Sequence, residues 1–245
     1  MSDFNDDTQL AIALAKAAGE IALAVRATGL LEGRALGDAG DRAANGFLMP
    51  ALRQHRPDDA ILCEESEDSA ARLSHSRVWI IDPVDGTREF AEGREDWAVH
   101  VGLAIDGEAQ TGAVALPGLG IVLASDGHAA ASDDPLTGKI VVSRSRPPAQ
   151  AQKVADTLEM ELVPMGSAGA KAMAVVRGQA DAYLHSGGQH EWDNCAPVAV
   201  AQAHGLHCSR IDGSPLVYNK ADGLLPDLLI CRSQLAEPIL RTIAD

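Results

Sequence analysis

The chain opens on a helical pattern. Between Thr8 and Val25 the apolar residues Leu10, Leu14, Ala17, Ala18, Ile21 and Val25 recur at helical spacing, with Asp6, Asp7 and Thr8 ahead of them as capping oxygens. A second helix is expected after Asp41, running towards His55 and bent at Pro50, which lacks the N–H that an interior helical position uses. The period then shortens. Ile61 to Cys63 is an apolar run that stops at Glu64 and Glu65, and Val78 to Ile81 is another that stops at Asp82, so both read as buried strands that deliver acids at their ends. Ala98 to Ile105 and Thr111 to Leu116 flank Asp106-Gly107, a pair suited to the left-handed conformations of a type I′ hairpin turn, and Ile121 to Ala124 adds a strand.

The second half alternates afresh. Strands are expected at Lys139–Ser143, Leu162–Met165, Ala180–Leu184, Leu206–Arg210 and Leu228–Cys231, with helices at Gln150–Leu158, Ala168–Val176, from near Trp192, and at Ala236–Ile243. Such interleaving indicates a layered α/β or α+β protein. The turn formers of Gly127 to Gly138 mark the boundary between two units, 1–138 and 139–245, and a length of 245 residues accommodates two modest domains.

Charge narrows the functional classes. Thirty-five acidic residues against twenty basic ones give −15, a field that repels nucleic-acid polymers and anionic membranes. The first residues are acidic, unlike a signal or transit peptide, and no apolar run reaches a membrane span, so a cytoplasmic location with no membrane partner is expected. The widely spaced Cys63, Cys195, Cys208 and Cys231 read as buried thiols, and His185, His190 and Cys195 lack the spacing of a structural zinc site.

The candidate chemistry lies in the acids. In WIIDPVDGTREF, residues 79 to 90, Asp82 and Asp85 follow a strand, Pro83 keeps Asp82 extended, and Gly86 allows the turn into a helix near Thr87 whose free N–H groups suit a phosphate. Paired carboxylates of this kind are ligands for Mg²⁺, with substrate phosphate completing the octahedron. Glu64 and Glu65 end the preceding run, and Asp193 stands in EWD at the start of a late helix, where an acid caps naturally. Like charges about 4 Å apart repel by roughly 4 kcal/mol at an effective dielectric of 20, so a converging cluster calls for cations.

Glu64-Glu65, WIIDPVDGTREF and EWDNCAP, in this order, resemble the signatures of the inositol monophosphatase superfamily of Mg²⁺-dependent, lithium-sensitive phosphatases. VVSRSRPP, GSAGAKAMAVVRGQADAYLH and DGSPLVYNKADGLLPDLLI are similar to its CysQ-type 3′(2′),5′-bisphosphate nucleotidase branch. The resemblance implies an αβαβα sandwich of the Mg²⁺-dependent sugar-phosphatase type, in two subdomains, and is compatible with a homodimer. By it, Glu64, Asp82 and the Val84 carbonyl hold one Mg²⁺, Asp82, Asp85 and Asp193 hold a second, and Glu65 either stands outside the direct ligands or helps to place a third, weakly held ion. Asp41 with Thr87 matches the pair that activates the attacking water, and the Gly86 and Thr87 N–H groups hold the phosphate. The family's D-x-S-x-V-T-x-x-D run is replaced here by GRALGDAGD, which leaves Asp38 as a competitor for the role of Asp41.

The implied substrate is 3′-phosphoadenosine 5′-phosphate, hydrolysed at its 3′-phosphate to AMP and phosphate in support of sulfate assimilation. Ser143, Arg144, Ser167, Lys171 and the Gly166–Gly169 backbone are candidates for its remote phosphate, and Tyr183 or Trp192 for ribose or base, each being equally a core residue by type. The alternatives are an inositol monophosphatase or fructose-1,6-bisphosphatase on the same metal site, or a catalytically inactive phosphatase-like binding protein.

Overall fold

A computed structural model describes residues 4–127 and 135–244. Residues 128–134, within the boundary expected at Gly127–Gly138, lie outside the described residues.

Strand registers and alternating side chains produce five layers. The first sheet runs in the order β1 (Ala60–Cys63), β2 (Arg77–Asp85), β3 (Ala98–Ile105), β4 (Glu108–Leu116), β5 (Ile121–Ala124), with β1 and β2 parallel and the rest antiparallel. Because successive strand residues point to opposite faces, Trp79 and Ile81 enter a core with α1 (Asp7–Ala27) and α2 (Gly33–His55), while Val78 and Ile80 enter another. Burial on both faces is why this strand reads as an unbroken apolar run rather than an alternating one.

The second sheet has the order β7 (Glu161–Met165), β6 (Lys139–Ser143), β8 (Ala182–Ser186), β10 (Asp227–Cys231), β9 (His207–Ser209), parallel around β6 and antiparallel around β10. On its outer face lie α4 (Ala149–Leu158) and α7 (Ala236–Ala244), closed over Ile140, Val142, Leu184 and Leu229. Between the two sheets lie α5 (Ala168–Val176) and α6 (Cys195–Ala203), whose sequences, AGAKAMAVV and CAPVAVAQA, are dominated by small residues. The layers are α, β, α, β, α, as the resemblance implies.

Several expected boundaries move, each for a local reason. Helix α2 begins at Gly33 rather than after Asp41, so GRALGDAGD is helix and not loop. Its glycines serve close approach: a Cβ on Gly37 would stand 2.7 Å from Thr87 Cγ2, and one on Gly40 would stand 2.6 Å from the Phe90 ring. Strand β2 does not end at Asp82 but continues through Pro83 to Asp85, its register against β3 shifting between the two acids. That irregularity tilts two carboxylates of one strand towards a common side. Near Trp192 the helix is a short 3₁₀ turn, Glu191–Asp193, followed by α6 with Asn194 at its cap, so Asp193 is not the cap of that helix. The hairpin turn is as expected, Asp106 and Gly107 both having positive φ, at 51° and 83°. Among the described residues no helix is long and apolar enough to cross a membrane, and the four cysteines are free thiols, three buried and Cys208 partly so.

Candidate active site

The kink in β2 and the 3₁₀ turn before α6 bring Asp82, Asp85 and Asp193 together, one carboxylate oxygen from each within 4.8 Å of the others. Among the described residues this is the group of acids, histidines and cysteines that could hold a metal. Asp82 is 1% exposed, and its Oδ1 is buried with no hydrogen-bond partner. Burial, then the charges of Glu64, Asp85 and Asp193, push its carboxyl well above the usual range. An unpartnered buried carboxylate oxygen beside like charges is a poor way to fill protein interior and a good way to receive a hard cation.

The other acids share this field. Glu64, at the exposed rim, is pushed up to about 7 by desolvation and then by Asp193, against the help of a hydrogen bond shared with Asp82. Asp193 rises to about 6 through burial and the charge of Asp85, while its Oδ2 accepts the His190 N–H at 2.6 Å. Glu65 stays exposed, its backbone carbonyl accepting from Asn45 at 3.2 Å.

Asp85 differs in kind. Burial raises its pKa, but His100, Ser167 and Lys171 outweigh that and hold it at about 2. Its Oδ2 accepts the Ser167 hydroxyl and the Gly169 N–H, each at 2.6 Å, and lies 3.2 Å from His100 Nε2; Oδ1 accepts the Ala168 N–H at 3.1 Å. The carboxylate therefore sits on the N-terminus of α5, where the helix field favours an anion, and Oδ1 retains a lone pair. Gly86, at φ 87°, turns the chain out of β2 beside this contact; a Cβ there would stand 2.9 Å from Ser167 Cβ.

Asp41 is buried, and Oδ1 lacks a partner. Desolvation raises it to about 7, the remaining influences including a hydrogen bond to Thr87 and the charges of Glu65 and Glu64. The Thr87 hydroxyl also donates to the Val84 carbonyl at 3.1 Å, so its single proton has two acceptors within reach. Asp38 is only half buried and lies 3.8 Å from Arg34, so the geometry favours Asp41 over its competitor.

A cavity of about 200 Å³ is lined by Asp85 and Asp193 together with Lys171, Arg146 and His185. Lys171 is 4% exposed, not the surface lysine its type suggests; Nζ donates to the Gly166 and Ser167 carbonyls and lies 5.2 Å from the Tyr183 ring centroid. Burial lowers its pKa to about 8 despite Asp85. Ser143 lines the cavity, its hydroxyl accepting the Arg146 N–H at 3.3 Å. Ser167 and Arg144 line the same cavity with ties of their own: Ser167 gives its proton to Asp85, and Arg144 is bonded to Glu89 and Glu92 at 2.8 and 2.7 Å. Tyr183 lines the cavity although fully buried, whereas Trp192 stacks on His190 with centroids 4.3 Å apart.

One histidine, His100, is absent from the sequence-based candidates, and another, His185, figures there only in the rejected zinc reading. His100 is fully buried and bridges Asp85 to the Trp192 carbonyl, which Nδ1 meets at 2.9 Å. A polar residue inside the apolar run WAVHVGL was its signal, since such a group enters a core only with partners. His185 has both ring nitrogens buried without a partner, and burial with the nearby Lys171 and Arg146 charges brings it to about 4, a neutral ring facing the cavity.

The raised carboxyls give the metal-free protein a particular pH response. Asp41, Glu64 and Asp193 titrate at about 7, 7 and 6 when folded, so the native state binds more protons than the unfolded chain between the ordinary carboxylate range and neutrality. Stability in chelator should therefore fall as pH rises from about 5 to about 7.5, by a few kcal/mol at most, and Mg²⁺ should flatten the decline. Denaturant unfolding at the two pH values, with chelator and with Mg²⁺, checks this; a rise with pH in chelator overturns it.

Comparison with known proteins places this geometry. The model of the inositol monophosphatase family matches residues 4–245. The chain is 51% identical over 239 residues to the 3′-phosphoadenosine 5′-phosphate phosphatase of Mycobacterium tuberculosis, covering 93% of this chain and 90% of that protein. It is 31% identical over 200 residues to the 3′(2′),5′-bisphosphate nucleotidase CysQ of Escherichia coli, covering 76% and 81%. The crystal structure of CysQ from Bacteroides thetaiotaomicron superimposes with a TM-score of 0.80 at 24% identity, covering 94% of this chain and 98% of that one. With the family pattern spanning almost every residue and the fold matching throughout, the chain belongs to the inositol monophosphatase family.

Proposed function

We propose that this protein is a Mg²⁺-dependent phosphatase that hydrolyses the 3′-phosphate of 3′-phosphoadenosine 5′-phosphate to AMP and phosphate. The carrying observation is the 51% identity to a phosphatase of that substrate over nearly the full length of both chains. The arrangement of the site supports it: two acids of a cluster fit for cations line a cavity that Lys171, Arg146 and a neutral histidine also line.

Glu64, Asp82 and the Val84 carbonyl would hold one ion, and Asp82, Asp85 and Asp193 a second. Mg²⁺ held there supplies acidification of water and neutralisation of the charge on the departing ester oxygen. The chain's own groups do the rest. With the Val84 carbonyl engaged, the Thr87 proton turns to Asp41, leaving the Thr87 oxygen to accept a proton from the attacking water and Asp41, raised to about 7, to relay it. The Gly86 and Thr87 N–H groups, at the start of the short helix α3 (Thr87–Ala91), orient the scissile phosphate. Lys171, Arg146 and Ser143 face the remote phosphate, a demand that an inositol monophosphate does not make.

Phosphate release from 3′-phosphoadenosine 5′-phosphate, inositol 1-phosphate and fructose 1,6-bisphosphate tests the proposal. Turnover of the nucleotide should exceed the others by at least about tenfold in kcat/KM, corresponding to about 1.4 kcal/mol, and vanish in chelator. Equal or better turnover of inositol 1-phosphate would replace the substrate assignment; no Mg²⁺-dependent turnover of any of the three would point to the inactive binding protein.

A further inference from the structure

The PLVYNK segment, residues 215–220, marks the CysQ-type branch in the sequence, yet it does not line the cavity beside the acidic cluster. Its place is behind the metal-binding acids. Glu191 is fully buried, and both its oxygens go to this segment: Oε2 accepts the Asn219 N–H at 2.7 Å, and Oε1 accepts the Lys220 N–H at 2.8 Å. Asn219 has φ 60°, a left-handed turn that aims consecutive N–H groups at one anion. The Asn219 side chain reaches the other way, Oδ1 accepting from Arg72 Nη1 at 2.8 Å and Nδ2 donating to the Arg72 carbonyl at 3.1 Å. Arg72, 2% exposed, also grips both oxygens of Asp68, at 2.7 and 3.0 Å, and the Lys220 carbonyl at 3.0 Å.

One continuous network therefore runs from the exposed Asp68, four residues beyond Glu64, through buried Arg72 and partly buried Asn219 to buried Glu191, two residues before Asp193. Backbone bonds reinforce its far end, Glu191 N–H to the Gly223 carbonyl and Leu225 N–H to the Gln189 carbonyl, each at 2.9 Å. Glu64 follows β1 directly, its N–H donating to the Ile81 carbonyl at 3.3 Å, whereas Asp193 lies on a 3₁₀ turn in the other half of the chain, so no sheet register sets the Asp193 side of their separation. Nothing requires a buried carboxylate at position 191 for packing alone, since a buried charge is a costly filler and an apolar residue would serve.

We infer that Glu191 and Asn219 are positioning residues, a clamp that fixes the Glu64 loop against the Asp193 turn so that a divalent cation meets ligands already in place. The inference rests on the metal-site reading above. Its test uses Mn²⁺ binding to the full chain without substrate, followed by electron paramagnetic resonance well below the melting temperature, for wild type, Glu191→Gln and Asn219→Gly. The amide turns a donor towards one of the two N–H groups, whereas glycine keeps the left-handed turn and both N–H donors and deletes only the link to Arg72. Both variants should bind Mn²⁺ about tenfold more weakly, because ligands no longer held in place must be ordered as the ion binds. Excess Mg²⁺ should restore their phosphatase activity, as it could not if chemistry itself were impaired. Lower melting temperatures with Mn²⁺ affinity within twofold of wild type would overturn the clamp and leave the network purely structural. If Glu191→Gln does not fold, Asn219→Gly decides alone. Absence of Mn²⁺ binding in the wild type would instead overturn the metal-site reading.

Discussion

Asp85→Asn is expected to lose about three orders of magnitude or more in kcat/KM on 3′-phosphoadenosine 5′-phosphate and, in the same protein, to melt roughly 5–10 °C lower. Both effects come from one carboxylate. Asp85 accepts from Ser167, Ala168 and Gly169 at the head of α5 and faces His100, and these donors need an acceptor-only group. An amide presents its own hydrogens to at least one of them, and a buried donor left without an acceptor costs about 1–3 kcal/mol. Phosphate release in saturating Mg²⁺ and thermal unfolding with chelator check the two halves separately. Near wild-type turnover would remove Asp85 from the metal site, and an unchanged melting temperature would refute its role as the anchor of α5.

Asp82→Asn should be equally inactive and yet melt higher than wild type when no metal is present. Here the carboxylate has an unpartnered buried oxygen and four acidic neighbours, Glu64, Asp85, Asp193 and Asp41, all of which raise it. Replacing it with a neutral isostere relieves that repulsion, a gain of about 1–2 kcal/mol and so a few degrees in a chain of this size. Mg²⁺ should reverse the order, because wild type gains stability in proportion to RT ln(1 + [L]/Kd) and the variant has lost a shared ligand. Melting curves of both proteins with chelator and with Mg²⁺ give the four temperatures required. A variant less stable than wild type in chelator would show that the acids are held apart better than their burial implies.

How far these residues were legible in the sequence depended on how local their setting is. Asp82, Asp85 and Gly86 could be placed because a strand, a proline and a glycine fix them within a few residues. Most strands of both sheets were legible for the same reason, their apolar runs ending at turn formers or charged residues close by. The first turns of α2, ahead of Asp41, were not, because Gly37 and Gly40 read as helix breakers until Thr87 and Phe90, distant in sequence, are seen to require their missing side chains. Ser167 and Lys171 were found by position but not by job: only the fold shows that one hydroxyl serves Asp85 and that the lysine is buried against backbone carbonyls. His100 could have been flagged by its apolar surroundings, but its two partners lie on β2 and on the turn before α6, which no spacing rule connects.

The alanine-rich layer formed by α5 and α6 has a bearing on ion selection. Asp85 comes from one sheet and is met by the first turn of α5, while Asp193 is delivered just ahead of α6, so both acids stand at the ends of the small-residue helices packed between the sheets. Oxygen distances to Mg²⁺ and to Ca²⁺ differ by only a few tenths of an ångström, less than the difference between an alanine and a valine wedged under a helix. If the acids hold Mg²⁺ as proposed, a larger side chain in place of one of those interior alanines should shift the preference towards a larger ion without any change to the acids themselves.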